Sequence, residues 1–139
     1  MTPMFGIFGG GKRTKPLVLH VDDDNSIRVL FGDVLDEMGV DVRGAAHGQE
    51  GIDFARKNSP DLIILDVQMP GLNGFEACRL LKKDPKTSQI PILMMTSLEQ
   101  IKDVEKALAN GADDYVVKPV DFPVFKIKVA KLLKQNLPH

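Results

Sequence analysis

Four short apolar runs in this sequence each end at side chains that could bind or transfer a charged group. The polar positions that follow the runs are Asp22 and Asp23, Asp66, Thr96 and Ser97, and Lys118. If the runs are parallel strands of one sheet, their carboxyl ends meet at the edge where open α/β sheets bind ligands. The sequence therefore predicts one pocket that combines three carboxylates, hydroxyl groups and an ammonium group.

A pocket with three carboxylates needs a compensating positive charge. Each like-charge pair at about 4 Å costs about 4 kcal/mol at an effective dielectric constant of about 20. Either one carboxyl group holds a proton or a cation lies among them. A hard divalent cation suits oxygen ligands, and Mg²⁺ takes few carboxylates and keeps several waters. We therefore expect Mg²⁺, or Mn²⁺ in its place, among Asp22, Asp23 and Asp66.

Such a pocket is suited to accept a phosphoryl group. A divalent cation and Lys118 would neutralise phosphoryl oxygens, and the hydroxyl of Thr96 would donate a hydrogen bond to another. Asp66, on the central strand, could then attack phosphorus and form an aspartyl phosphate. The plain alternative is that acidic residues at strand ends cap the helices that follow. Capping would account for one carboxylate but not for three that face Lys118.

Length and composition limit the classes of protein that could hold this pocket. The chain has 139 residues, of which 43% are hydrophobic and 27% charged, which is typical of one globular domain. Its 18 basic and 19 acidic residues give a net charge of −1, so no basic excess points to nucleic acid or to an anionic membrane. Cys78 is the single cysteine, which excludes an internal disulfide, and no apolar run approaches the length of a membrane span. We expect a cytoplasmic domain without direct contact to nucleic acid or membrane.

The spacing of apolar residues predicts that strands and helices alternate along the chain. Short apolar runs predict strands, and apolar residues three or four apart predict helices. The expected strands are residues 17–21, 40–44, 62–65, 92–95 and 115–117, and the expected helices lie near residues 27–38, 49–57, 75–83, 100–109 and 125–133. These βα units favour an α/β fold: a doubly wound, flavodoxin-like (βα)5 parallel sheet with strand order 2-1-3-4-5, in a single domain.

The first fifteen residues differ from the rest of the chain. Glycines at positions 9–11 follow a short apolar segment at positions 4–8, so we expect residues 1–15 to be a flexible leader before a domain of residues 16–139. The alternative is a short apolar arm that docks on a partner or on its own domain. Gly6, Gly11 and Lys12 have the spacing of a phosphate-binding loop, but Arg13 stands where that loop needs serine or threonine. A nucleotide site in the leader is therefore disfavoured.

Four motifs connect the predicted pocket with a known family. They are VDDDNSIR at residues 21–28, LIILDVQMPGLNG at 62–74, MMTS at 94–97 and GADDYVVKP at 111–119. In this order and at this spacing they resemble the CheY-like receiver domains of bacterial response regulators, over residues 15–137. The resemblance implies a signalling domain that takes a phosphoryl group from a sensor histidine kinase or a histidine phosphotransfer protein. Such a domain is not an enzyme, although it slowly removes its own phosphoryl group.

The resemblance assigns a role to each acidic residue of the pocket. It implies that Asp66 is the phosphoacceptor, that Asp23 binds Mg²⁺ directly and that Asp22 acts mainly through metal-bound water. Gln68 would give its backbone carbonyl to the metal, so its side chain is free to vary.

The resemblance also implies a conformational switch. Thr96 would move toward the phosphoryl group, and Tyr115 would be buried in the active state and exposed in the inactive state. Lys118 would pair with the phosphoryl group, with a cis peptide bond to Pro119, and the small Ser97 would keep the site open to a donor. The surface of the fourth helix, fifth strand and last helix would then control a downstream protein or a phosphorylation-dependent homodimer. Ordinary half-buried packing is the alternative role for Tyr115.

Other functions share part of this pattern. Residues 84–91 and 118–122 resemble receivers that precede diguanylate cyclase domains, so the chain could be part of a longer protein. Haloacid-dehalogenase-type phosphatases also use a nucleophilic aspartate, but they need a second aspartate two residues later, where this chain has Gln68. A single-domain regulator is our leading interpretation, and an inactive binding module is a further alternative.

His20, inside the first strand, is expected to be a packed, neutral core residue.

Overall fold

Five parallel strands alternate with five helices, in the order that the sequence predicts. The computed structural model describes residues 13–97 and 101–136. The strands are β1 (Leu17–Val21), β2 (Asp41–Ala45), β3 (Leu62–Asp66), β4 (Ile92–Ser97) and β5 (Asp114–Lys118). The helices are α1 (Asn25–Glu37), α2 (Gly48–Asn58), α3 (Gly74–Lys83), α4 (Ile101–Ala109) and α5 (Phe122–Asn136). The sheet order β2-β1-β3-β4-β5 confirms the single-domain, doubly wound, flavodoxin-like fold. Among the described residues, none of the helices is both long and apolar enough to cross a membrane.

Three strands continue past the apolar runs that mark them in the sequence. Asp66 at the end of β3 pairs with Met95 of β4, and Ser97 pairs with Lys118 of β5. The backbone ladder needs no apolar side chain, so pairing extends onto the polar residues beyond each buried run. The predicted ends of β3, β4 and β5 were one or two residues short for this reason.

The core forms two layers, one on each face of the sheet. Ile63 and Leu65 of β3 point into the layer that α2, α3 and α4 cover. Leu62 and Ile64 point into the layer that α1 and α5 cover. Because β3 is buried on both faces, its sequence is an unbroken apolar run. Its carboxyl end, and with it Asp66, lies in the middle of one edge of the sheet.

The loops after β1 and β3 are tied to the helices that follow them. Asp24 caps α1, and its side chain accepts hydrogen bonds from the backbone N–H groups of Ser26 at 2.8 Å and Ile27 at 3.3 Å. Asn73 and Glu76 form a capping box at the start of α3. These caps satisfy N–H groups that helix ends leave unpaired, so they fix where both helices begin beside the sheet edge.

Residues 13–16 lie against the opposite, amino-terminal edge of the sheet. The Arg13 guanidinium donates to the carbonyl oxygens of Asn58 and Ser59 at 3.2 and 2.9 Å, and pairs with the Asp61 carboxylate at 3.2 Å. Asp61 also accepts from the backbone N–H of Leu17 at 2.8 Å. These contacts begin within the predicted leader, whose apolar and glycine-rich part, residues 1–12, lies outside the described residues. The division into a leader and a domain therefore stays a prediction.

Gly74→Ala is expected to destabilise the fold strongly, because the start of α3 packs directly on the end of β3. A Cβ on Gly74 would overlap the carbonyl oxygen of Asp66 and lie 2.8 Å from the Cα of Val67, where only backbone could give way. We expect the free energy of unfolding, measured by urea denaturation, to fall by about 3 kcal/mol or more. In the matched control Gly32→Ala, the new Cβ has no neighbour within 4 Å, so stability should rise by about 0.5–1 kcal/mol. Equal stability of the two variants would contradict the close packing of Gly74 against the end of β3.

Candidate functional site

The carboxyl ends of β1, β3 and β5 bring an acidic cluster and a lysine together. Carboxylate oxygens of Asp22, Asp23 and Asp66 lie within 4.8 Å of one another. Asp22 and Asp66 are buried, whereas Asp23 is exposed. Lys118 Nζ donates a hydrogen bond to Asp66 Oδ1 at 2.6 Å. The structure therefore brings together the three carboxylates and the ammonium group that the sequence places at this edge.

Burial makes negative charge unfavourable in the acidic cluster. Burial is the main cause that raises the pKa of Asp66 above its ordinary value, and the hydrogen bond from Lys118 opposes this rise. Burial also raises the pKa of Asp22, and the charge of Asp66 adds to the effect. A cation among the carboxylates would lower both pKa values, because it favours the charged forms. A donor set made of carboxylate oxygens fits a hard divalent cation such as Mg²⁺.

The ion pair between Lys118 and Asp66 joins an accessible group to a buried one. The side chain of Lys118 is 41% exposed and that of Asp66 is 5% exposed. The ion pair therefore links the buried carboxylate to a side chain that is open to solvent. The peptide bond from Lys118 to Pro119 is cis, as the resemblance implies.

Gln68 lies in the loop after β3, two residues beyond Asp66. Its side chain is exposed. Its backbone N–H favours the charged form of Asp66 and so lowers the pKa of that carboxyl group. An exposed side chain is compatible with a residue that acts through its backbone, and metal binding by the Gln68 carbonyl stays a prediction.

Thr96 and Tyr115 lie on one face of the sheet. Thr96 is two residues beyond Met94, which pairs with Tyr115, and side chains two apart on a strand share a face. Thr96 is buried, and Tyr115 is partly buried against the layer that α2, α3 and α4 cover. Lys128 of α5 donates to the Tyr115 carbonyl at 2.6 Å and lies 4.5 Å from its ring centroid. Both predicted switch residues therefore face the layer of α4, while the side chain of Ser97 lies outside the described residues.

Arg28 and His20, which the sequence did not place at the acidic cluster, both lie beside Asp22. Arg28 of α1 donates to the backbone carbonyl of Asp22 at 2.6 Å. His20 is fully buried, and its Nε2 lies 4.0 Å from Asp22 Oδ2. Burial, with smaller effects of Arg28 and Lys118, lowers the pKa of His20 to about 4, which agrees with the packed, neutral histidine that the sequence predicts. Strand alternation could have shown its place beside Asp22, since residues two apart point to the same side.

His20→Leu is expected to make the protein more resistant to acid. The folded-state pKa of His20, about 4, lies below the ordinary value of 6.5, so the unfolded state binds the proton first as the pH falls. The contribution of His20 should therefore lower the stability of the wild type from about pH 6.5 down to about pH 4, at up to about 1.4 kcal/mol per pH unit, and the variant should lack this contribution. Urea denaturation in EDTA across this pH range measures the difference in the free energy of unfolding between the two proteins. A difference that stays constant across the range would contradict this account of His20.

Comparison with known proteins identifies the family. Residues 18–130 match the family described as response regulator receiver domain. Over 121 residues the chain is 40% identical to the transcriptional regulatory protein AfsQ1 of Streptomyces coelicolor and also 40% identical to the DNA-binding dual master transcriptional regulator RpaA of Synechocystis sp.. Each match covers 87% of this chain but 52% of AfsQ1 and 50% of RpaA, so the chain spans about half the length of these relatives. The chain is also 40% identical over 104 residues to the protein PilH of Pseudomonas aeruginosa. That match covers 75% of this chain and 86% of PilH.

Solved structures share the fold and its strand arrangement. A putative response regulator from Chloroflexus aurantiacus matches with a TM-score of 0.84 at 34% identity, over 87% of this chain and 99% of the other. The chemotaxis protein CheY4 of Vibrio cholerae matches with a TM-score of 0.79 at 32% identity, over 86% of this chain and 99% of CheY4. This chain therefore belongs to the CheY-like response regulator receiver domains of two-component signalling.

Proposed function

We propose that this domain receives a phosphoryl group on Asp66 from a sensor histidine kinase or a histidine phosphotransfer protein, with Mg²⁺ as cofactor. The observation that carries the proposal is the place of Asp66: its buried carboxylate lies 2.6 Å from Lys118 Nζ and close to the oxygens of Asp22 and Asp23. Burial alone would favour the protonated form of an aspartate, which is a poor nucleophile. Lys118 favours the ionised form that attack on phosphorus requires.

Transfer exchanges one bond to phosphorus for another. A carboxylate oxygen of Asp66 attacks phosphorus, the P–N bond to the donor's imidazole breaks, and the imidazole leaves with that electron pair and takes up a proton from water. Lys118 would then donate its hydrogen bond to a phosphoryl oxygen, because the negative charge has moved there from the carboxylate. Asp22, Asp23 and Asp66, with the Gln68 carbonyl, would bind the metal. When bound, Mg²⁺ supplies positive charge that neutralises the phosphoryl oxygens.

Phosphorylation would change the surface formed by α4, β5 and α5. An aspartyl phosphate places about two negative charges at the carboxyl end of β3. The Thr96 hydroxyl would move to donate to the phosphoryl group, and Tyr115, on the same face, would enter the space that Thr96 leaves. Because Lys128 contacts the Tyr115 ring, this movement would also displace a lysine of α5. The change is a shift between two populated conformations, and the new surface would bind a downstream protein or a second copy of the chain.

The output of the signal depends on what accompanies the domain. AfsQ1 and RpaA are named as transcriptional regulators, and this chain spans about half of each, whereas it covers 86% of PilH. The domain acts either as a single-domain regulator or as the receiver of a longer protein with an output domain. In both cases we propose that the receiver itself contacts proteins and not nucleic acid, since its 18 basic and 19 acidic residues nearly balance.

Reactions with two phosphate compounds distinguish a phosphoacceptor domain from a phosphatase. With acetyl phosphate and Mg²⁺ we expect the chain to take up no more than about one phosphoryl group, because it has one acceptor carboxylate beside Lys118. With p-nitrophenyl phosphate we expect no rapid, repeated hydrolysis, because Gln68 stands where a phosphatase of the haloacid dehalogenase type needs its acid and base. Rapid multiple turnover would support the phosphatase instead. Failure to take up phosphoryl groups, where a known receiver reacts, would indicate an inactive binding module.

A further inference from the structure

His20 and Asp22 carry buried polar atoms that have no hydrogen-bond partner within the described part of the chain. The atoms are both ring nitrogens of His20 and Oδ2 of Asp22. The side chain of His20 is 0% exposed and that of Asp22 is 3% exposed. An unpaired buried polar atom destabilises a protein by about 1–3 kcal/mol, so such a group needs a physical explanation.

The two side chains are already close and are held on the same side of β1. The His20 ring packs on Phe31 with 5.1 Å between ring centroids, and the backbone of His20 pairs with Gly44 and Ile64 of the flanking strands. Its Nε2 is 4.0 Å from Asp22 Oδ2, about 1 Å beyond hydrogen-bond distance. A relative movement of about 1 Å between the two side chains would bring these atoms within hydrogen-bond distance.

The other oxygen of Asp22 is already bound. Asp22 Oδ1 accepts the backbone N–H of Asp24 at 2.9 Å. Oδ2 has no such partner among the described residues, so a hydrogen bond to it would hold the carboxylate from a second side. Among the described residues, His20 is the neighbour placed to supply that second hydrogen bond.

We propose that His20 is a positioning residue of the metal site, whose Nε2–H donates to Asp22 Oδ2 when the acidic cluster holds a divalent cation. This inference rests on the proposed function, because it needs the cation that phosphoryl transfer would use. A carboxylate only accepts hydrogen bonds, so His20 carries its proton on Nε2 in that state. Asp22, bound through both oxygens, then presents one fixed orientation to the cation or to its water.

The expected effect is on metal affinity. Neighbours that orient a metal ligand change affinity by about 10- to 100-fold. His20→Leu removes the donor but keeps an apolar side chain in the core, so we expect Mg²⁺ to bind about 10-fold more weakly. His20→Gln offers an amide N–H near the position of Nε2 and should restore most of the affinity. A role in packing alone would predict the reverse, since leucine packs in an apolar core better than glutamine.

Isothermal titration of the full chain with Mg²⁺ at pH 8 measures these affinities. The matched histidine control is His47→Asn, since His47 is exposed and caps α2 by accepting from the backbone N–H of Glu50 at 3.3 Å, a role that asparagine also fills. This control should bind Mg²⁺ as the wild type does. Equal affinity of the wild type and His20→Leu would overturn the inference.

Imidazole ¹⁵N NMR supplies a readout that needs no change at position 20. Adding Mg²⁺ to the wild type should shift the His20 Nε2 resonance as the new hydrogen bond forms, and Asp22→Asn should abolish that shift. Unchanged His20 resonances in a wild-type protein that binds Mg²⁺ would overturn the inference while leaving the proposed function intact. A wild type that binds no Mg²⁺ at all would overturn both. If His20→Leu fails to fold, the Mg²⁺ affinity of His20→Gln and these spectra still test whether His20 positions Asp22.

Discussion

Asp23→Asn is expected to leave the metal-free protein at least as stable as the wild type and to remove most of the stabilisation that Mg²⁺ provides. The change removes a negative charge that lies within 4.8 Å of the oxygens of Asp22 and Asp66. A like-charge pair at about 5 Å costs up to about 3 kcal/mol at an effective dielectric constant of about 20, and exposure of Asp23 reduces this by screening. We expect the free energy of unfolding without metal to rise by about 1 kcal/mol. The wild type should gain about 2.7 kcal/mol from Mg²⁺ at about 100 times its dissociation constant, and the variant should lose most of that gain.

Urea denaturation in EDTA and in Mg²⁺ measures both effects on the same proteins. The matched control is Asp24→Asn, because Asp24 is next in the chain but caps α1, a role that asparagine fills equally well. This control should gain as much stability from Mg²⁺ as the wild type. An Asp23→Asn protein that Mg²⁺ stabilises as strongly as the wild type would show that Asp23 is not a ligand.

Lys118→Ala is expected to slow phosphoryl uptake from acetyl phosphate by about 100- to 1,000-fold. Removal of one donor that stabilises developing negative charge has an effect of this size in enzymes. The variant also loses the hydrogen bond that opposes the rise in the pKa of Asp66.

Intact-mass time courses with acetyl phosphate and Mg²⁺ measure the uptake. Lys82→Ala is the matched control: Lys82 also pairs with an aspartate, Asp113 at 2.9 Å, but at the amino-terminal edge of β4, away from the acidic cluster. Circular dichroism should show that both variants are folded, and Lys82→Ala should react at close to the wild-type rate. A Lys118→Ala protein that is phosphorylated as fast as the wild type would show that Lys118 does not assist transfer.

Much of the fold is predictable from the sequence because burial on both faces of a parallel sheet leaves a direct signal. The unbroken apolar run of β3, followed at once by Asp66, marks a central strand and the residue at its carboxyl end. Strand ends could not be predicted to the residue, because pairing of Thr96 and Ser97 with β5 depends on backbone geometry and not on side-chain polarity. The acidic cluster was predictable since its members follow two apolar runs, β1 and β3, that parallel pairing aligns side by side.

The contacts that the sequence does not reveal join residues on different elements or lie within a strand that looks uniformly buried. The hydrogen bond from Arg28 to the Asp22 carbonyl depends on how the first turn of α1 folds back over β1. The pairing of Arg13 with Asp61 joins residues 48 positions apart. Strand alternation places His20 on the same side of β1 as Asp22, but only the structure shows that its Nε2 lies 4.0 Å from Asp22 Oδ2. The switch role of Thr96 and Tyr115 concerns two conformations, and one sequence or one structure describes only their arrangement on a shared face.

The central claim is that Asp66 accepts a phosphoryl group with the help of a divalent cation bound beside it. The most direct test is the intact mass of the protein after incubation with acetyl phosphate, with Mg²⁺ or with EDTA, for the wild type and for Asp66→Asn. We predict a mass increase of about 80 Da in the wild type with Mg²⁺, and no increase with EDTA or in Asp66→Asn. An increase of the same size in Asp66→Asn, or one that is unchanged by EDTA, would contradict the account.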